Sequence, residues 1–142
     1  MEEERPKICI NEIETRDYFY VKSLIQQTQY ETLHKFITDN NIDINEYNFL
    51  RDVCAYKSKE LILFFKTRLQ ADFIHPKDAI YEYHILQHYA FVGEIGILDM
   101  LIDVLNCYDD FMKVLSLSAL RNSEITSIYL KNKKIRNFLK IK

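Results

Sequence analysis

Glycine and proline are nearly missing from this 142-residue chain, at two each, and tryptophan is absent. Gly93, Gly96, Pro6 and Pro76 cannot furnish the many tight turns that a β-sandwich or barrel requires, so the economical expectation is an all-α fold. Cysteine is scarce as well. Cys9, Cys54 and Cys107 are odd in number and widely separated, which gives neither a disulfide framework nor a metal-ligand pair and reads as reduced, mostly buried thiols. Long hydrophobic runs are lacking too: the longest, Leu61–Phe65, is far short of the ~20 residues that a membrane-spanning helix needs. Glu2-Glu3-Glu4 has the wrong charge for a secretory or transit leader, so an intracellular, cytoplasmic protein with no membrane partner is expected. No Gly-rich phosphate loop, nucleophile elbow or catalytic carboxylate pair occurs, and neither enzymatic activity nor a cofactor is expected.

What the chain does have is a pattern that recurs about every thirty residues. An apolar or small pair spaced by four is followed by a break and then by a second apolar stretch. Leu50 and Cys54 precede Lys57 and the stretch Leu61, Ile62, Phe64, Phe65. Leu86 and Ala90 precede Gly93 and the stretch Ile97, Leu98, Met100, Leu101; Leu115 and Ala119 precede Asn122 and the stretch Ile128, Tyr129, Leu130. Each unit therefore reads as two short helices. A period of this length is the signature of stacked repeats, in which neighbours complete one another's core. Such stacks recognise other proteins, and a protein partner is expected. One domain is expected over 1–142, with units at approximately 15–44, 45–74, 75–108 and 109–142.

Along the chain, residues 1–11 show charge but no periodicity and are expected to form a loosely docked lead-in. Thr15 is a candidate cap for a helix with Phe19, Val21, Leu24 and Ile25 on its apolar face; Leu33, Phe36 and Ile37 follow at helical spacing until Asp39-Asn40-Asn41. Ile42-Asp43-Ile44 forms a turn, after which Asn48 can cap the next helix. Ala71-Asp72-Phe73 repeats that turn. Asp43 lies seven positions before Leu50 but Asp72 fourteen before Leu86, so an insertion containing Pro76 and Asp78, about a turn and a half of helix, lies between units two and three.

These fragments resemble ankyrin repeats. Asn48-Phe49-Leu50-Arg51-Asp52-Val53-Cys54 and His84-Ile85-Leu86-Gln87-His88-Tyr89-Ala90 are similar to the family's helix-one run Thr-Pro-Leu-His-x-Ala-Ala, keeping the Leu and the final small residue. Lys57-Ser58-Lys59-Glu60 and Gly93-Glu94-Ile95-Gly96 stand for its Gly-His-Leu-Glu break; Asn41-Ile42-Asp43-Ile44-Asn45 and Gln70-Ala71-Asp72-Phe73 stand for its Gly-Ala-Asp-Val-Asn end. The style is similar to the divergent ankyrin-type proteins of large DNA viruses, and the resemblance implies a four-repeat solenoid with host-directed, host-defence-modulating protein binding. It covers roughly residues 18–131 but lacks Thr-Pro throughout and most of the family's loop glycines.

Ten tyrosines are spread over the chain. Amphipathic rings near turns suit binding hot spots, so Tyr47, Tyr56, Tyr81 and Tyr83, with Arg51 and Asp52, are the candidate protein-binding residues. The alternative site is the tail 131–142, whose Lys131, Lys133, Lys134, Arg136, Lys140 and Lys142 are accompanied by no acidic residue, against a net charge of −2 for the chain. It suits nucleic acid, although the interleaved Ile135, Phe138, Leu139 and Ile141 favour simple helix packing and make nucleic acid the lesser expectation. His84 and His88 have metal-compatible helical spacing, with His75 and Glu82 nearby, but Ile85 replaces the glutamate of a zinc-hydrolase motif. No metal is expected. A helical bundle of the Bcl-2 type would need one long hydrophobic helix that these short segments do not supply.

Overall fold

The computed structural model describes residues 6–105, which are mostly helical. Strand β1 (Ile8–Cys9) and a 3-10 turn (Ile10–Glu12) lead into helices α1 (Thr15–Gln26) and α2 (Tyr30–Asp39). Strand β2 (Ile42–Asp43) connects these to α3 (Tyr47–Ala55) and α4 (Lys59–Thr67), and α5 (Ile85–Val92) and α6 (Ile95–Leu105) follow. The described helices thus pair as three successive hairpins, α1–α2, α3–α4 and α5–α6. The expected fourth unit at 109–142, with Leu115 and Ala119, lies outside the described residues, as does Cys107 at the end of the expected third.

Common spacings run through the hairpins. The buried pairs Leu50/Cys54 and Leu86/Ala90 have a counterpart in Val21/Ile25, again four apart. Three residues after each pair the backbone turns left-handed, at Thr28 (φ 53°), Lys57 (φ 56°) and Gly93 (φ 76°). Five residues beyond that break, Leu33, Ile62 and Leu98 are completely buried. A second left-handed residue closes the first two units at Asn41 (φ 51°) and Gln70 (φ 54°). The polar character of these breaks hid their geometry. An L-residue can take this conformation, but at a cost of roughly 1–2 kcal/mol that glycine escapes.

Neighbouring hairpins meet helix to matching helix. Tyr18 of α1 packs edge-on against Phe49 of α3 (6.1 Å between centroids), and Tyr30 of α2 stacks on Phe64 of α4 (4.9 Å). Further along, α3 touches α5, and α4 packs extensively on α6. Polar links follow the same rows. Lys22 pairs with Asp52 (3.3 Å), Arg68 reaches Glu31 through two nitrogens (2.7 and 3.1 Å), and Lys66 donates to the carbonyl of Val104 near the end of α6 (2.5 Å). The turns are also joined, because the Asn45 side-chain oxygen accepts from the Asp72 N–H at 2.8 Å.

Several local expectations need correction. Residues 6–12 are docked, with β1 pairing in parallel to β2 (Ile8 opposite Ile42) and Ile10 fully buried. Thr15 is the first residue of α1 and makes no cap; Glu14 precedes it without a side-chain cap. In α3 the capping carboxylate is that of Glu46, which accepts from the N–H groups of Asn48 and Phe49, so Asn48 is capped and does not cap. Ser58 caps α4, and His84 with Gln87 forms a reciprocal capping box on α5. Phe19, assigned to the apolar face, is 66% exposed because Tyr18 and Val21 take the inward positions of α1.

The left-handed breaks make a direct prediction. Gln70→Gly, at an exposed position with its backbone already at φ 54°, raises stability by on the order of 0.5–1 kcal/mol, the relief of strain exceeding the added freedom of the unfolded chain. Gly93→Ala, at φ 76°, lowers it by about 1 kcal/mol. Urea unfolding followed by circular dichroism checks both signs.

Candidate protein-binding site

Between α4 and α5 two aspartates bind their own backbone, as short acidic side chains do in turns. Asp72 Oδ1 accepts from the N–H groups of Ile74 (3.0 Å) and His75 (3.1 Å), and its second oxygen meets the His75 ring. Asp78 Oδ1 accepts from Ile80 (2.8 Å) and Tyr81 (2.7 Å). The Asp78 N–H donates to the Tyr83 carbonyl, Glu82 returns a bond to the Asp78 carbonyl, and Lys77 bridges His84 in antiparallel fashion. The insertion is therefore a closed, non-helical finger and not an added stretch of helix. Pro76, lacking an N–H, and the two aspartates direct this segment away from helical bonding.

The finger lifts two large apolar side chains into solvent: Ile80 is 80% exposed and Tyr81 72%. Beneath them lies a continuous set of rings. Tyr81 stacks on Tyr83 (5.9 Å), Tyr83 lies parallel to His88 (5.9 Å, 3° between planes), and Tyr47 meets Tyr83 edge-on (5.9 Å). Phe91 closes on Tyr83 from α5 at 5.7 Å. The Arg51 guanidinium lies over the Tyr47 ring, 5.6 Å from its centroid. Below, the Tyr89 hydroxyl donates to the Arg51 carbonyl at 2.8 Å and ties α5 to α3. Pairs of this kind add about 0.5–1.5 kcal/mol each beyond their burial, so the finger sits on a stiff base.

Charge at the site is set by these contacts. Burial raises the Tyr47 phenol strongly above its ordinary value, with Tyr83 adding to the effect and Arg51 opposing it. Burial, then Arg51, lowers His88, while Asp78 acts the other way. The Tyr81 N–H is the largest influence holding the Asp78 carboxyl below its usual range. At Asp72 burial disfavours the charge, but the His75 and Ile74 N–H groups outweigh it and keep the carboxyl low.

Of the six candidate residues, Tyr47, Arg51, Tyr81 and Tyr83 converge here, and Tyr47 is a core residue only 3% exposed. Asp52 turns to unit one, where it pairs with Lys22, and Tyr56 lies half-buried at the end of α3. Ile80 was not foreseen, since an isolated apolar residue in a loop carries no periodic signal; His88 and Phe91 lie on α5, and the sequence singled out His88 only for its spacing from His84. The basic residues of 131–142 lie outside the described residues.

Other chemistry is absorbed by structure. His84 accepts from the Gln87 N–H as a cap, and among the described residues no three His, Cys, Asp or Glu side chains gather as metal ligands. Cys54 is buried, and burial pushes its thiol far above the ordinary range, which leaves no thiolate at neutral pH. A cavity of about 440 Å³ between the ends of α2 and α4 is lined by Lys7, His34 and Arg68, but Arg68 is already held by Glu31. No helix among the described residues is long and apolar enough to cross a membrane. Comparison with protein-family models, curated proteins and solved structures returns no match.

Two measurements probe the base of the finger. Tyr89→Phe removes the bond to the Arg51 carbonyl and costs about 1 kcal/mol in urea unfolding. Because His88 binds its proton less readily folded than unfolded, stability is complete above the ordinary imidazole value of about 6.5 and falls as the pH drops through it. Between about pH 7.5 and about pH 5.5 the melting temperature of the wild type therefore falls further than that of His88→Phe, which keeps the ring and loses the titration.

Proposed function

We propose that this chain is a non-enzymatic protein-binding module, built as a stack of degenerate ankyrin-type hairpins and gripping its partner with the finger between α4 and α5. The observation that carries the reading is the pair Ile80 and Tyr81, 80% and 72% exposed at the tip of a hydrogen-bonded finger and backed by the rings of Tyr83, His88 and Tyr47. Solvent-exposed apolar side chains on a stiff base are what a hot spot requires, since little ordering entropy is lost on binding.

The stacked-repeat part of the proposal is supported by the recurring spacings of buried pair, left-handed break and buried second-helix residue in three hairpins. Contacts between matching helices support it too. The resemblance to ankyrin-type proteins of large DNA viruses makes a host protein the partner class to seek.

The test compares affinity capture from eukaryotic cell extract by the wild type and by the double variant Ile80→Ser/Tyr81→Ser. Both substitutions are at exposed positions, so circular dichroism and melting temperature should be unchanged. At least one captured protein is expected to fall by about tenfold or more, the effect of removing one good anchor. An identical set of captured proteins at identical yields would refute the assignment of the finger.

A further inference from the structure

We propose that the Arg51 guanidinium receives a carboxylate side chain of the partner, so that the site reads an Asp or Glu standing next to an apolar residue. This rests on the protein-binding reading above and specifies the chemistry of the partner. Arg51 lies on α3, on the Tyr47 ring and beside the finger, and is half-buried. Its guanidinium offers five N–H donors and forms no ion pair among the described residues; its polar neighbour there is the Tyr47 hydroxyl, whose charged form it favours. The other two described arginines differ: Arg16 meets Glu14 at 3.2 Å and Arg68 meets Glu31 at 2.7 Å. Asp52, next along the chain, is occupied with Lys22. Asp78 bears on Arg51 electrostatically, but its Oδ1 is taken by the Ile80 and Tyr81 N–H groups and no ion pair forms between them.

A second observation points to the same ligand. The Tyr47 hydroxyl, on a residue 3% exposed, is buried without a well-formed hydrogen bond, Tyr83 and Arg51 being its polar neighbours. Buried polar atoms are nearly always well bonded, so a poorly bonded hydroxyl beside a guanidinium that has no ion pair marks a place suited to an added acceptor. A carboxylate supplies one with the right geometry. It accepts two parallel N–H bonds from a guanidinium held over an aromatic ring, and the Tyr47 hydroxyl lies beside that guanidinium as a further donor. The neighbouring apolar residue of the partner then meets Ile80 and Tyr81, which stand exposed alongside. Charge selects a monoanion. Asp78, kept ionised by its backbone bonds, and the exposed Glu82 would repel the double charge of a phosphate group.

The test uses short random peptides displayed and selected on the full-length protein, with counter-selection on the Ile80→Ser/Tyr81→Ser variant. Enriched peptides are expected to share one Asp or Glu adjacent to an apolar residue. In titrations of a synthetic consensus peptide, Arg51→Met and the peptide's Glu→Gln change each weaken binding by about 10- to 100-fold, and the two together lose little more than either alone. Arg51→Lys recovers part of the affinity, since it keeps the charge without the fork. Arg51→Met keeps the Tyr89 bond, which uses the backbone carbonyl, and its melting temperature serves as the folding control. Peptides that depend on the finger but carry no acid, or that bind Arg51→Met as tightly as the wild type, overturn the carboxylate assignment and leave the finger as a binding site. Tighter binding when phosphoserine replaces the acid also overturns it. If no selected peptide distinguishes the finger variant, both this inference and the reading beneath it fail.

Discussion

The described helices of this protein are too short to stand alone. They run from 8 residues in α5 to 12 in α1, at or below the ~12–15 at which even favourable isolated helices become marginal in water. What holds them is apolar surface shared between hairpins. Phe49 shows the arrangement: it sits in α3, meets Tyr18 of α1 on one side, and reaches Phe65 of α4 on the other. Phe64 takes Tyr30 in the same way. The second hairpin is thus finished only by its neighbours, and its own helices touch each other less than α4 touches α6. Its burial depends on contacts with both neighbouring hairpins, and damage to the middle hairpin is felt on both sides.

This dependence also decides which parts of the fold were legible. Leu50/Cys54 and Leu86/Ala90 stand out because a leucine and a small residue four apart leave room for the next helix; the structure buries all four. Val21/Ile25 occupies the same place but was read only as part of an apolar face, since two β-branched residues lack the large-then-small contrast. The breaks were visible as polar interruptions, but their left-handed backbone was not. Thr28, Asn41, Lys57 and Gln70 adopt a conformation that sequence reasoning reserves for glycine, and the surrounding packing holds them there. Tertiary contacts between hairpins enforce a turn that local preference alone would not choose. The finger was misread for the opposite reason: its length suggested helix, whereas Asp72 and Asp78 settle the backbone locally through their own side chains.

At the candidate site, sequence position near turns picked out tyrosines that the fold brings together, without telling floor from surface. Tyr47 and Tyr81 have similar credentials as residues, yet one is 3% exposed and the other 72%. The difference lies in the elements that carry them. Tyr47 opens α3 and is pressed under Tyr83 and His88 by the docking of α5, while Tyr81 follows the Asp78 turn at the extremity of the finger. Asp52 and Tyr56 face the other neighbour because helical rotation carries residues one and five positions beyond Arg51 around α3, toward Lys22. None of this is available from spacing alone, since it depends on which hairpin lies on which flank.

Core and surface are therefore joined through a few residues. Tyr47 packs beneath Tyr83, carries Arg51 on its ring, and belongs to the core that locks α3 to α5. Tyr89 fixes the same two helices by its bond to the Arg51 carbonyl. The finger cannot move far without disturbing a stacked ring, and the rings cannot move without opening the contact between the second and third hairpins. A partner seated on Ile80, Tyr81 and Arg51 would bind a surface already ordered by folding, and its binding energy would in turn stabilise that hairpin contact. The stiffness that would suit the tip to recognition is thus the same stiffness that keeps short helices folded. This coupling accounts for exposed apolar side chains at the tip of a finger whose aspartates and stacked tyrosines all serve to hold it still.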